Sequence, residues 1–399
     1  MPRPRIAFVV QRCHEQALGG SEALCLALAQ QMAAFADVEI LTTCAVEYRT
    51  WANDLAPGEG RVRGLPVLRF PVASPREAET FDLLCGRIEH QPERLTMDEA
   101  TDWMRRQGPD APGLADHIRA NADRYDAIVG CCYLYKTTYD ALQAAPRGKR
   151  VLQPSLHDEW MARLPLWKPW FAACDRILSQ TPEESALLAE RFPDAPSPRN
   201  LPVGVPSPLT GDAARFRAKY GITGPFLLCL GRVERGKGTN DLAAFHHRWR
   251  TEAGGHVELV LAGPIIERPP VSESVRLLGR IPEEDKWDAL AACTALVNPS
   301  AFESLSFVLL EAWQAGRPAL VNAACAVTAG QCRRTGFGLS WSGYHGYRAA
   351  IEVILQHPDL AVQAPAWVEA NHHWPVAAPL WLDAILGRSD RALAEQERI

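Results

Sequence analysis

The sequence lacks the features that mark membrane, secreted disulfide-bonded or nucleic-acid-binding proteins. The apolar run at residues 6–10 is far shorter than the ~20 residues of a membrane-spanning helix, and too short for a signal peptide. The formal net charge is -5, and no dense Lys/Arg run marks a phosphate-backbone footprint. The 11 cysteines are odd in number and form no C-x-x-C pair, which disfavours a disulfide framework or a structural zinc site. We therefore expect a cytoplasmic protein with reduced thiols and no nucleic-acid partner. Peripheral contact with the inner face of a membrane stays open.

Length and strand pattern favour two globular α/β domains. The chain has 399 residues, more than one ordinary hydrophobic core can organise. Short apolar runs alternate with helical patterns, which is typical of parallel strands buried on both faces. The predicted strands are residues 6–10, 38–42, 127–131, 151–153 and 176–179, then 226–230, 257–262, 275–278, 295–298 and 318–321. The predicted fold class is α/β, with two doubly wound Rossmann-like domains facing each other across a cleft.

Local signals divide the first half of the chain further. A helix is predicted at about residues 22–35, and residues 181–184 predict a helix start with a capping box. Between about residues 48 and 124 the pattern loosens and Pro and Gly cluster, apart from a helical stretch near 98–106, so we interpret this region as an insertion. Several aromatic residues either form a surface on which an acceptor sugar stacks or pack in the hydrophobic core. They are Trp103, Trp160, Trp167, Trp170, Tyr133 and Tyr135.

A glycine-rich segment, residues 231–238, follows a predicted buried strand and opens a predicted helix. Glycines allow a tight turn and close approach of the backbone to a ligand, and a helix N-terminus with nearby cations favours a diphosphate. The segment nearly matches the P-loop pattern G-x-x-x-x-G-K-[ST], but Gly238 occupies the position of the metal-binding hydroxyl. No later apolar strand ends in the aspartate that a P-loop NTPase uses to hold its metal.

A second segment, residues 298–312, also follows a predicted strand and contains Glu303 in a turn and Glu311 on a helix. At about 1.5 Å of rise per residue, the two carboxylates lie on the order of 12 Å apart. That separation exceeds the roughly 5–10 Å of a hydrolase acid/base pair but suits two ends of one nucleotide-sugar. Because Glu311 stands among apolar residues, its carboxylate requires a partner, for which ligand hydroxyls are suitable.

Together, Arg232, Lys237 and the Glu303/Glu311 pair resemble, in order and separation, the donor-site signature of glycosyltransferase family 4, whose members are retaining enzymes of GT-B fold. The resemblance extends over nearly the whole chain. It includes the glycine-rich segment at Gly19 and Gly20, the histidine segment at His157, and a helix from Trp374 that resembles one crossing back to the first domain. The resemblance implies domains at residues 1–203 and 204–372, followed by a returning helix at 373–399.

The resemblance also implies a role for each site residue. Arg232 and Lys237 hold the diphosphate and neutralise it as it leaves, and Glu303 binds the donor sugar. Glu311 accepts hydrogen bonds from the ribose hydroxyls. The rest of the implied site is the phosphate-facing backbone of Ser304, Leu305, Ser306 and Phe307, the base-facing turn at Arg280 and Ile281, and, on the first domain, Gly19, Gly20 and the catalytic His157. No metal or other cofactor is implied.

The predicted function is therefore transfer of a hexose from a nucleotide-diphosphate sugar to a glycan or lipid-linked glycan. The absence of a D-x-D triplet argues against the metal-dependent GT-A class. The adjacent histidine pairs at residues 246–247 and 372–373 point to different sides of helices, so neither suggests a metal site. Three alternatives stay open: a P-loop NTPase or kinase, a non-catalytic scaffold of the same fold, and an epimerase or phosphorylase.

Overall fold

The computed structural model describes residues 3–15, 19–269 and 273–388 of the chain. They divide into two compact units. The first unit contains the chain up to Pro202 and again from Ala377 onward, and the second unit is Val203–Val376. Each unit is built on its own sheet, in which nearly all neighbouring strands are parallel.

The first unit alternates strands and helices along the chain. Its strands are β1 (Arg5–Val9), β2 (Asp37–Thr43), β3 (Gly58–Val62), β4 (Leu65–Phe70), β5 (Ala127–Cys131), β6 (Arg150–Gln153), β7 (Arg176–Ser179) and β8 (Arg199–Asn200). Its helices are α1 (Gly20–Met32), α2 (Ala78–Ile88), α3 (Met97–Gln107), α4 (Pro112–Asn121), α5 (Lys136–Ala144), α6 (Trp167–Ala172) and α7 (Pro182–Arg191). The described strands form one sheet in the order β3-β4-β2-β1-β5-β6-β7-β8. Because the chain winds outward from β1 and β5 in both directions, the topological switch point lies between these two strands.

The region interpreted from the sequence as an insertion, residues 48–124, contributes directly to this sheet. β4 pairs in parallel with β2, and β3 pairs antiparallel with β4. Neither strand shows an apolar run, because β4 contains Pro66 and Arg69 and β3 contains two glycines. The helix predicted near residues 98–106 is α3, whose N-cap Thr96 forms a capping box with Glu99. The region therefore belongs to the framework of the first unit.

Of two predicted helix starts, that of α1 differs from the structure and that of α7 is confirmed. α1 begins at Gly20, two residues before the predicted start, with Gly19 as an extended N-cap. α7 begins at Pro182, and its N-cap Thr181 accepts a hydrogen bond from the Glu184 N–H at 3.2 Å. The Glu184 carboxylate accepts from the backbone N–H groups of Gln180 and Leu156, each at 2.7 Å. The Thr181 half of the predicted capping box is therefore present, and the Glu184 side chain ties the start of α7 to the loop after β6.

The aromatic residues that were open to two interpretations belong mainly to the core of the first unit. Trp103, Trp167, Trp170 and Tyr133 are buried in one cluster, against which Trp160 packs. Their rings meet edge to face, as in the Tyr133–Trp167 pair with centroids 4.9 Å apart. Because these rings are buried, the structure supports a role in core packing rather than in stacking sugars.

The second unit repeats the arrangement, with six strands in the residues described. Its strands are β9 (Phe226–Leu230), β10 (Glu258–Ala262), β11 (Val275–Gly279), β12 (Ala295–Asn298), β13 (Ala319–Asn322) and β14 (Gly338–Trp341). Its helices are α8 (Ala213–Tyr220), α9 (Thr239–Ala253), α10 (Glu283–Ala292), α11 (Phe307–Gln314), α12 (Ala326–Thr335), α13 (Gly343–Gln356) and α14 (Ala364–His372). The described strands follow the order β11-β10-β9-β12-β13-β14. The switch point therefore lies between β9 and β12, and the loops that leave these two strands emerge side by side.

The last described helix, α15 (Trp374–Leu386), begins in the second unit and belongs to the first from Ala377 onward. Within the first unit, the indole of the buried Trp381 donates to the Pro202 carbonyl at 2.7 Å. Of the helices in the described ranges, none is long and apolar enough to span a membrane.

His246 on α9 is a buried histidine in the core of the second unit. Its Nδ1 lies 2.9 Å from the Tyr347 hydroxyl and its Nε2 lies 3.1 Å from the Val257 carbonyl oxygen. Burial lowers the pKa of His246 to about 4, so the ring stays neutral in the folded protein. The next residue, His247, is exposed on the other side of the helix. The two rings therefore do not converge on one site.

We expect His246 to make folding stability depend on pH between about 4 and 6.5. In that window the unfolded chain binds a proton on this ring and the folded chain does not, so the free energy of unfolding rises with pH and is lost as pH falls. Thermal melting of wild type and His246→Gln from pH 4 to 7 should show a shallower pH dependence in the variant. His247→Gln, on the exposed side of α9, should keep the wild-type slope. Equal slopes in wild type and His246→Gln would contradict this assignment.

Candidate site at the carboxyl edge of the second sheet

The loops after β9 and β12 meet at the switch point of the second sheet. The first loop contains a short 3₁₀ turn, Arg235–Lys237, and ends at Gly238, which is the N-cap of α9 with φ 74°. A Cβ at Gly238 would lie 2.6 Å from the carbonyl oxygen of Pro299 in the second loop. Glycine therefore permits both the left-handed backbone and the close approach of the two loops.

Lys237 and Glu303 join these loops by an ion pair. Lys237 Nζ lies 2.9 Å from Glu303 Oε1, and the two side chains are 32% and 18% exposed. Both side chains are thus partly buried at the edge of the sheet. The structure brings these two predicted residues together, although 66 positions separate them in the chain.

The remaining cations of the first loop are more exposed. Arg232 Nη2 lies 3.2 Å from Glu234 Oε1 and its side chain is 43% exposed. Arg235 is 80% exposed and pairs with Glu267 at 3.2 Å. Arg232 is therefore placed in the same loop as Lys237 with an accessible guanidinium.

Glu311 lies on α11, one helix beyond the loop that carries Glu303. Its side chain is 13% exposed, and its Oε1 lies 2.7 Å from Lys286 Nζ on α10. Burial raises the pKa of the Glu311 carboxyl, and Lys286 opposes part of that shift. The sequence predicted that this carboxylate needs a partner but did not identify Lys286. Lys286 lies 25 positions before Glu311 in the sequence, so no local pattern links the two residues. They lie on α10 and α11, the helices before and after β12.

The N-terminus of α11 presents backbone N–H groups at the same edge. Ser306 is the N-cap of this helix, and its hydroxyl accepts a hydrogen bond from the Asn298 side chain at 3.0 Å. The first backbone N–H groups of a helix have no partner within the helix and carry partial positive charge. The predicted set Ser304, Leu305, Ser306 and Phe307 lies where such groups emerge, with Leu305 and Ser306 buried.

Arg280 and Ile281 occupy the turn between β11 and α10. Arg280 is exposed and Ile281 is partly buried, directly after Gly279, whose φ is 69°. The turn leads into the helix that carries Lys286, so it belongs to the same carboxyl edge of the sheet. In the part of the chain that the structure describes, the ion pairs of Glu303 and Glu311 are made with Lys237 and Lys286 and not with Arg280.

The predicted glycines of the first unit lie at the switch point of the other sheet. Gly19 caps α1, and a Cβ there would overlap the carboxylate of Glu22. Glu22 is buried and pairs with Arg12 at 2.6 Å, an ion pair that the sequence did not predict. Among the described residues, no atom lies within 4 Å of a Cβ added at Gly20. A side chain at Gly19 would therefore displace the Glu22 carboxylate, whereas Gly20 has room for one.

His157 follows β6 and stands beside Glu159. Its Nδ1 lies 3.4 Å from Glu159 Oε1, and the histidine side chain is 28% exposed. The buried Tyr133 donates its hydroxyl proton to the same Oε1 at 2.7 Å. Glu184 fixes the preceding residue through the Leu156 N–H, and burial raises the pKa of Glu184 to about 8. His157 is thus accessible and held by neighbours that the sequence did not single out.

The predicted site residues therefore fall into two groups. The second unit holds Arg232, Lys237, Arg280, Ile281, Glu303, Ser304, Leu305, Ser306, Phe307 and Glu311, and the first unit holds Gly19, Gly20 and His157. Within residues 3–15, 19–269 and 273–388, no group of three or more His, Cys, Asp or Glu side chains could hold a metal ion.

Comparison with known proteins finds a family model that matches most of the second unit. Residues 224–354 match the family model described as Glycosyl transferases group 1. This segment contains both ion pairs and the two loops at the switch point. None of the curated protein sequences matches the chain at a significant level.

Solved structures of similar fold extend over the whole chain. Sucrose-phosphate synthase from Thermosynechococcus elongatus has a TM-score of 0.71 at 18% identity, covering 99% of this chain and 100% of that one. HepE from Anabaena, in complex with UDP and glucose, has a TM-score of 0.65 at 15% identity, covering 98% and 100%. Trehalose 6-phosphate synthase from Burkholderia multivorans has a TM-score of 0.65 at 12% identity, covering 99% and 100%. These likenesses confirm the predicted α/β fold class of GT-B type. Together with the family match, they support a glycosyltransferase enzyme, as the sequence predicted.

Proposed function

We propose that the chain is a retaining, metal-independent hexosyltransferase that uses a nucleotide-diphosphate sugar as donor. The observation that carries the proposal is the convergence of Lys237 and Glu303 from two loops at the switch point, inside the segment that matches a glycosyltransferase family. A switch point is where open α/β sheets bind nucleotides. HepE of Anabaena, whose fold this chain shares, binds UDP and glucose, which supports the same donor class here.

In this proposal, Arg232 and Lys237 bind the diphosphate of the donor. Each presents a cation at the surface of the first loop, and the first N–H groups of α11 add partial positive charge from the second. These groups stabilise the charge that develops on the departing diphosphate, which is the main electrostatic demand of the reaction. Glu303 then accepts from hydroxyls of the donor sugar, and Glu311 accepts from the ribose.

The base is proposed to lie against the turn at Arg280 and Ile281, read mainly by backbone groups. From the first unit, Gly20 approaches the diphosphate and His157 contacts the sugar near its reacting carbon. The bond between the anomeric carbon and the phosphate oxygen breaks, and the acceptor oxygen bonds to that carbon on the same face. The acceptor proton passes to the leaving phosphate, and in this proposal Arg232 and Lys237 supply the positive charge that a metal ion would otherwise provide.

The acceptor is proposed to be a glycan or a lipid-linked glycan. WaaG, described as a glycosyltransferase involved in lipopolysaccharide biosynthesis, shares this fold with a TM-score of 0.64 at 16% identity over 95% of this chain. Action on such an acceptor would place the protein in the cytoplasm, with peripheral contact at the inner face of the membrane.

A thermal-shift panel tests whether the donor is a nucleoside-diphosphate sugar and identifies its nucleobase. UDP, GDP, ADP, TDP and CMP, and the triphosphates ATP and GTP, are each added with and without magnesium to the wild-type protein. A ligand at 100 times its dissociation constant adds about 2.7 kcal/mol to stability, enough to raise the melting temperature by a few degrees. We expect one diphosphate to raise the melting temperature by the same amount in EDTA as in magnesium. Stabilisation by no diphosphate would favour a non-catalytic scaffold, and stabilisation only by a triphosphate with magnesium would favour a P-loop enzyme.

A further inference from the structure

Lys286 is held between two carboxylates at the edge of the candidate site. Its Nζ lies 2.7 Å from Glu311 Oε1 and 2.6 Å from Glu283 Oε1, and its side chain is 18% exposed. The two carboxylates differ in environment, because the Glu283 side chain is 66% exposed and that of Glu311 is 13% exposed. The buried partner of the lysine is therefore Glu311.

Glu311 depends on this lysine for charge balance. The charged groups that act on its carboxyl are Lys286 and Glu283, both on α10. On α14, which also packs against α11, Glu369 pairs with His373, and His372 contacts the Val203 carbonyl oxygen. The neighbouring strands β12 and β13 contain no charged residue. In the part of the chain that the structure describes, Lys286 is thus the cation that acts on Glu311.

We propose that Lys286 is a positioning residue that keeps Glu311 ionised and aimed at the donor ribose, so that the pair selects ribonucleotides over 2′-deoxyribonucleotides. The inference rests on the proposed function, because it takes Glu311 as the acceptor for the ribose hydroxyls. An ionised carboxylate accepts from two hydroxyl groups at once, and charge-assisted hydrogen bonds are roughly twice as strong as neutral ones. A hydroxyl missing from the ligand therefore costs most when the carboxylate is charged.

The ionisation of the pair supports this role. Burial raises the pKa of Glu311, and Lys286 opposes part of that shift. Burial lowers the pKa of Lys286, but Glu311 and Glu283 raise it by more, so the lysine stays charged. Replacing Lys286 with a neutral side chain removes the opposing effect and raises the pKa of the Glu311 carboxyl further. The strength of its ribose contacts then becomes dependent on pH, increasing as pH rises and the carboxyl ionises.

The test compares a ribonucleoside diphosphate with its 2′-deoxy analogue by calorimetric titration from pH 5.5 to 8. UDP and 2′-deoxy-UDP are the probes, or the guanosine or adenosine pair where that base binds more tightly. The ratio of the two dissociation constants is the readout, because titration of the phosphate itself cancels in it. In the wild type the ratio should be at least about tenfold and flat with pH, as expected for a hydroxyl bound to a charged acceptor. In Lys286→Met it should fall several-fold at pH 5.5 and recover as pH rises.

Two further variants separate positioning from a general structural effect. Lys286→Arg retains the charge and should restore the flat, wild-type ratio, whereas Lys286→Gln retains a donor without charge and should behave like Lys286→Met. Lys219 is the matched control. It pairs at 2.7 Å with Asp285, which lies on α10 beside Lys286, and its partner is not Glu311. Lys219→Met should leave the ratio unchanged.

The outcomes distinguish this inference from the proposed function. If wild type binds no nucleoside diphosphate, the donor-site proposal fails. If it binds one, but Lys286→Met and Lys286→Gln keep the wild-type ratio at every pH, the role of Lys286 is overturned. Tighter binding of TDP, which carries deoxyribose, than of every ribonucleotide would also overturn the selection of ribose.

Discussion

Lys237→Ala should lower the turnover of the nucleotide-sugar by about 10²–10³-fold, the usual effect of removing one charged group that stabilises a developing oxyanion. The substitution removes the cation from the switch-point edge and leaves Glu303, which is 18% exposed, without its partner 2.9 Å away. The affinity for the nucleoside diphosphate should fall as well, since the same cation contacts the bound donor. The measurements are release of diphosphate from the sugar donor and calorimetric titration of the diphosphate alone.

Arg235→Ala is the matched control for this substitution. Arg235 lies two positions from Lys237, but its side chain is 80% exposed and pairs with Glu267 outside the contact between the loops. Exposed ion pairs contribute little, so this variant should keep turnover within about twofold of wild type. Equal losses in both variants would indicate a general effect of charge, and no loss in Lys237→Ala would contradict the donor site.

Gly238→Ala should destabilise the second unit by about 3–5 kcal/mol, an exceptional loss for one methyl group. The left-handed backbone at φ 74° is unfavourable for alanine, and the added Cβ would lie 2.6 Å from the Pro299 carbonyl oxygen. Because that atom belongs to the backbone of the facing loop, it cannot move aside as a flexible side chain can. Relief would require the two loops to separate, which also carries Lys237 away from Glu303.

Gly236→Ala provides the comparison within the same loop. An added Cβ at Gly236 meets no atom within 4 Å, and its φ is not in the left-handed region. We expect a change of less than about 0.5 kcal/mol there, typical of an open surface position. Denaturant unfolding of the two variants measures the difference, and similar stabilities would contradict the described contact between the loops.

The core strands were the part of the fold most accessible to prediction. β5 and β12 are buried at every residue and carry no charge, with Asn298 at the end of β12 as their one polar side chain, and their observed bounds match the predicted ones. The strands that were missed are short, at a sheet edge or half exposed: β3, β4, β8 and β14. An edge strand buries one face at most, and residues such as Arg69 or Gly60 interrupt the apolar pattern that marks a strand.

The candidate site was predictable where it depends on loop position. Lys237 and Glu303 were both predicted in loops that follow strands of the second domain, and the structure brings the two loops together where β9 and β12 are neighbours. Partners that lie on other elements were missed, including Lys286 for Glu311 and Arg12 for Glu22. Pairing of side chains between helices depends on packing in three dimensions, for which a single sequence has no periodic signal.

A crystal structure of the chain with its stabilising nucleoside diphosphate, prepared in EDTA, tests the central claim most directly. The account predicts diphosphate oxygens within hydrogen-bond distance of Arg232 and Lys237, and ribose hydroxyls on the Glu311 carboxylate that Lys286 holds. A nucleotide bound away from the loops after β9 and β12, or bound there only as a triphosphate with magnesium, would contradict it.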